Sequence, residues 1–149
     1  MRRAWGAVLA AGVLLLSGCV TPAPDTSAYE SKAGMTAEAA NSAVATALVA
    51  TRAHLHGRMG SAYLETVLVD AEESLGSVHD TFDSVQPPAA EAADALRSTL
   101  DPLLEKAGSA LTDLRIAARR NSSPDLRTAV GALSPVADRL EAFGKQHAS

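Results

Sequence analysis

The chain is 149 residues long, room for one domain and little besides, and its 13 basic and 17 acidic side chains give a formal net charge of −4. That balance lacks the basic footprint with which nucleic-acid binders neutralise phosphates, so no nucleic-acid partner is expected. A single Cys excludes an internal disulfide framework and a four-Cys zinc site, while 47% apolar residues exclude a solvated, disordered chain.

The N-terminus reads as a targeting signal. Arg2 and Arg3 make a positive start, and Ala4 to Leu16 follow without a charge before small residues lead to Cys19. Such a run is too short to cross ~30 Å of hydrocarbon, which takes about 20 residues of helix. Leu16-Ser17-Gly18-Cys19 resembles the bacterial lipobox: a branched apolar residue, two small residues and an obligatory Cys. The resemblance implies lipidation of Cys19 as a diacylglyceryl cysteine, cleavage between Gly18 and Cys19, and a further acyl chain such as palmitate on the new amino terminus. Residues 1–18 are then a cleaved signal peptide. The remaining 131 residues, without Arg2 and Arg3, carry 11 basic against 17 acidic side chains, a formal −6. A body this acidic gains nothing from anionic headgroups, so the membrane partner is expected to be held through the lipid on Cys19.

Residues 19–26 contain two prolines within V-T-P-A-P-D-T and are expected to form an extended tether. Ser27-Ala28-Tyr29-Glu30 matches a capping box, where a hydroxyl and a carboxylate satisfy orphan amides. Gly34 weakens this opening and Thr36 offers a second cap, so the first helix is expected from 27 or 36 to 56. Its face is Ala37, Ala40, Val44, Leu48, Thr51 and Leu55, and Gly57 ends it. Leu64, Leu68, Ala71, Leu75, Val78, Phe82 and Val85 alternate steps of four and three, placing a second helix over 61–85 before Pro87-Pro88.

A third pattern over 89–120 runs Ala93, Leu96, Leu100, Leu103, Ala107, Leu111, Leu114 and Ala118. Pro102 inside it predicts a kink near Ser98, or a short break with Asp101 capping a new segment. The fourth helix, 124–144, has Ser123 as N-cap, Pro124 at its first position and a face of Leu126, Val130, Leu133, Ala137, Leu140 and Phe143; Pro135 should bend it. Short connections make consecutive helices antiparallel. The expected fold is therefore all-α, an up-down-up-down four-helix bundle over 27–149. Its rival is a three-helix bundle with the first, Ala- and Thr-faced helix loosely docked.

Chemistry is sparsely written. There is no phosphate loop, no nucleophile elbow, no H-E-x-x-H and no C-x-x-C, and the absence of any Glu-x-x-His argues against a di-iron bundle. No cofactor and no enzymatic activity are expected. His54, His56 and Met59 offer imidazole and thioether donors suited to copper, although side chains two apart on a helix diverge by ~200°. Glu65, Asp70, Glu72, Glu73, Asp80 and Asp83 make the second helix acidic, and Glu72, His79 and Asp83 share a stripe that could hold calcium weakly. The plainer reading is a solvated face that pairs with a neighbouring helix. Arg115, Arg119, Arg120 and Arg127 form the reciprocal basic patch, a candidate for phosphate or headgroup contact. Asn121-Ser122-Ser123 reads as a turn and cap.

Gly57-Arg58-Met59 leading into Tyr63-Leu64, then Phe82 to Pro88 and Leu114 to Arg120, resemble small Ala- and Arg-rich lipoproteins of high-G+C Gram-positive bacteria. The resemblance implies an envelope location and no particular activity. The expectation is a monomeric, non-enzymatic lipoprotein on the extracytoplasmic face of the membrane, acting through an envelope protein or other envelope component. The alternative is a weak metal- or small-ligand-binding module.

Overall fold

A computed structural model describes residues 23–147, so the signal peptide, Gly18 and Cys19 lie outside the described residues. Four helices follow one another: α1 Thr26–Leu55, α2 Ser61–Asp83, α3 Glu91–Arg119 and α4 Ser123–His147. Among the described residues no strand occurs and no helix is long and apolar enough to cross a membrane. The fold is the expected all-α four-helix bundle.

Leucine spacing explains three of the helices. Leu64, Leu68, Ala71, Leu75 and Phe82 of α2 are buried and Val78 partly so, while Val85, also partly buried, lies beyond the helix, which ends at Asp83 and not at the expected residue 85. In α4, Leu126, Leu133, Leu140 and Phe143 are buried as the pattern predicts, but Ala129 and Val136 go deeper than Val130 and Ala137. In α3 the buried leucine is Leu104 rather than Leu103, because a four-residue step from Leu100 follows the 3.6-residue turn more closely. Pro102 does not break this helix. Leu96, Leu100, Leu104 and Ala107 bury one face on both sides of it, and Asp101 caps nothing. Likewise α4 runs on through Pro135.

Helix α1 is not loosely docked. It packs against α2, α3 and α4, whereas α2 and α4 do not approach each other closely. Ala33, Ala37, Ala40, Ala43, Ala47 and Ala50 are all buried, and side chains this small let three neighbours close around one axis. Thr51, buried among them, donates its hydroxyl to the Ala47 carbonyl at 2.8 Å and so is itself satisfied.

The helix ends differ from expectation by small, instructive amounts. Asp25 caps α1, its carboxylate accepting from the Ala28 amide at 2.8 Å, so neither Ser27 nor Thr36 starts the helix. An ionised carboxylate at this position also meets the positive end of the helix dipole. Gly34 is no weak point, because it is buried where α1 meets Gly144 of α4. Ser122 takes the capping role of Ser123: its hydroxyl accepts from Asp125 at 3.4 Å and its carbonyl from Leu126 at 2.9 Å.

Gly57, with φ of 70°, closes α1 as expected: it donates to His54 and Arg58 donates to Ala53. Asn121, with φ of 50°, ends α3 with the same paired bonds to Ala118 and Ala117, so Asn121-Ser122-Ser123 is a turn and cap. Ala23 is buried and donates to Gln86 at 3.4 Å, which shortens the expected tether: residues 23–25 belong to the folded body.

Two glycines separate packing from propensity. A Cβ on Gly144 would stand 2.7 Å from Glu38 Cγ and 3.4 Å from its amide nitrogen, whereas one on Gly131 meets nothing within 4 Å. Gly131→Ala should stabilise by about 0.5–1 kcal/mol through helix propensity. Gly144→Ala should be destabilising by about 1 kcal/mol, overpacking outweighing that gain. Urea unfolding of the two variants checks the opposite signs.

Candidate functional site

The sequence placed three potential sites on this bundle, and the structure treats them unequally. At the end of α1, His54 Nδ1 lies 2.9 Å from the Met59 carbonyl oxygen, which can only accept, so that nitrogen carries the proton. His56 is exposed at the C-cap, and the Met59 side chain packs against the core. His54 and Met59 thus have structural roles in the turn, and His56 contributes its backbone amide, which donates to the Arg52 carbonyl.

Of the basic patch, Arg115 is partly buried and pairs through Nε with Glu72, which also accepts from Thr112 Oγ1 at 2.8 Å. Arg119, Arg120 and Arg127 are exposed about the α3–α4 turn. Glu72 is therefore spent on α3 and is not the partner of His79 and Asp83 that helical spacing suggested. The acidic face of α2 pairs with its neighbour at the middle of the helix, Glu72–Arg115, and at its C-terminal end, Asp83–Arg97.

The side chain that joins His79 and Asp83 is Asp101 of α3. One donor atom from each of the three lies within 4.8 Å of the others, the only such His/Cys/Asp/Glu group among the described residues. His79 Nε2 stands 3.6 Å from Asp83 Oδ2, one helical turn away. Arg97 lies between the carboxylates: Nη2 is 3.4 Å from Asp83 Oδ1 and Nε is 3.3 Å from Asp101 Oδ2. The same guanidinium donates to the Asp83 carbonyl at 3.2 Å, satisfying an orphan group at the end of α2, and its carbon lies 5.7 Å from the centre of the Phe82 ring. Arg97 is a structural clamp on α2.

Two polar atoms here have no partner. Asp101 Oδ1 and the Tyr29 hydroxyl are both shielded from solvent and neither is hydrogen-bonded. Tyr29 is wholly buried, its ring 5.6 Å from that of Phe82, and its hydroxyl feels the charges of Arg97, Asp101 and Asp83. Desolvation, opposed by Arg97, raises the pKa of Tyr29 above the ordinary phenol value. Desolvation also raises Asp101 above the usual carboxylate range, again against the pull of Arg97, with Asp83 adding to the rise. Beside the cluster, an open groove of about 630 Å³ runs between α2 and α3 from His79 past Gly76 and Gly108 to Thr112.

Sequence reading found two of the three clustered side chains, His79 and Asp83, because they share a helix. Asp101 and Tyr29 arrive from other helices. The one available signal was an Asp four residues after Arg97, on the flank of the Leu96–Leu100–Leu104 stripe. Comparison with protein-family models, with curated proteins and with solved structures finds no match.

A buried hydroxyl without a partner costs about 1–3 kcal/mol. Tyr29→Phe keeps the ring against Phe82 and removes that cost, so chemical denaturation of the metal-free protein should show a gain of about 1 kcal/mol. A loss of that size would mean the hydroxyl is bonded in solution.

Proposed function

We propose that the chain is a bacterial cell-envelope lipoprotein: a helical bundle tethered through lipid on Cys19 to the extracytoplasmic face of a membrane, acting non-enzymatically through contact with an envelope protein. The observation that carries this reading is the sequence Leu16-Ser17-Gly18-Cys19 at the end of an uncharged run that opens with Arg2-Arg3. Each buried acyl CH₂ contributes ~0.8 kcal/mol, so two long chains hold such a body where one is marginal.

The bundle's geometry gives this anchor a direction. Ala23 is pinned to Gln86, and four residues of extended chain span at most ~14 Å, so Cys19 holds the start of α1 and the α2–α3 connection close to the bilayer. At 1.5 Å per residue the 30 residues of α1 extend ~45 Å, which puts the α1–α2 and α3–α4 turns at the end of the bundle remote from Cys19. Arg119, Arg120 and Arg127 lie about that remote end.

Contact through the outer half is supported by exposed apolar surface. Val49 is 65% and Tyr63 63% exposed, and both line one open groove with Met59 and Val67 between α1 and α2. Isolated apolar residues are ordinary on a surface, but these adjoin one another in a single groove.

Expression of Cys19→Ala in a bacterium that processes lipoproteins is the test. The wild-type protein should have the mass of residues 19–149 plus acyl groups and float with membranes. The variant should keep its precursor mass and acquire no lipid. Identical masses for the two proteins, apart from the substitution itself, would overturn the anchor.

A further inference from the structure

His79, Asp83 and Asp101 have the composition of a metal site, and their surroundings leave them underused. Arg97 takes one oxygen from each carboxylate, which still leaves the pocket one formal negative charge in excess when the imidazole is neutral. The other Asp101 oxygen has no partner and no solvent. A buried, unpaired carboxylate oxygen is costly, and the wholly buried, unpartnered Tyr29 hydroxyl beside the same charges marks the place a second time.

We propose that His79, Asp83 and Asp101 bind a divalent first-row transition ion, with zinc as the representative case. The distances suit such an ion. Donors about 2.1 Å from zinc at tetrahedral angles stand ~3.4 Å apart, and His79 Nε2 and Asp83 Oδ2 are already at 3.6 Å. All three donors lie within 4.8 Å of one another, so coordination closes any pair by about 1.4 Å at most, shared between two side chains. Two of the ligands belong to α2 and one to α3, so the ion ties the end of α2 to the middle of α3.

The imidazole selects the class of metal. Calcium takes six to eight oxygen ligands, and this pocket offers a nitrogen and two carboxylates. Arg97, already bonded to both carboxylates, stays as the outer partner that orients them, the role charged neighbours play around metal ligands. His79 also lines the α2–α3 groove, which gives the ion a path from solvent and leaves room for water in the remaining positions. The site goes beyond the anchoring reading and does not depend on it.

Calorimetric titration of zinc chloride into the full chain, purified in detergent and stripped with chelator, tests the site. One ion per chain should bind, and the thermal unfolding midpoint should rise with zinc, since an ion held only by the folded state stabilises it. His79→Ala and Asp101→Asn, each checked for folding by far-ultraviolet circular dichroism, should weaken binding about tenfold or more and abolish the rise. His54→Ala with His56→Ala should change neither. No saturable binding, an isotherm indifferent to His79 and Asp101, or binding lost with His54 and His56 instead would overturn the proposal, as would displacement of zinc by equimolar calcium.

Discussion

The bundle depends on one helix being almost bare. Along α1, alanine occupies the positions where α2, α3 and α4 carry leucine, and this small-residue face lets one axis touch three others. Four cylinders packed on a square leave a hole along the middle. Here α1 and α3 meet across the diagonal and close it, which holds α2 and α4 apart. The loss of apolar area at each alanine is offset by the full burial of Leu100, Leu104, Leu111 and Leu114 on α3.

That arrangement decides where polar chemistry can sit. With the centre filled, polar pairing is left to the seams between neighbouring helices, and the α2–α3 seam holds the Glu72–Arg115 and Asp83–Arg97 ion pairs. Its outer half is closed by Glu72 with Arg115 and Thr112, and its inner half by Asp83 and Asp101 with Arg97. Between them Gly76 and Gly108 leave a groove in place of side chains. Among the described residues the buried side-chain polar atoms without a partner are Asp101 Oδ1 in this inner half and the Tyr29 hydroxyl of α1.

Much of the fold was legible because leucine spacing is a local property: each of α2, α3 and α4 shows its own buried face without reference to a neighbour. The docking of α1 was not, since an alanine face reads as weak until three partners close on it. Cap identities slipped by a residue or two because Asp25, Ser27, Ser122 and Ser123 are all competent, and the choice between them is made by the chain entering the helix. The Asp101–His79–Asp83 cluster lay beyond sequence reasoning for a firmer reason. Periodicity fixes which face of α3 is buried, but the sliding register of α3 against α2, which brings residue 101 level with 79 and 83, is set only by packing and by the Arg97 bonds to the end of α2.

The bond from Ala23 to Gln86 bears on how the body responds to force. If the chain is anchored at Cys19, a pull would enter where Ala23 meets the α2–α3 corner, two residues ahead of the Asp25 cap. Because α1 packs against α2, α3 and α4, such a load would be resisted by side-chain contacts with three helices at once. The helix with the smallest side chains would then be the first to meet the tension.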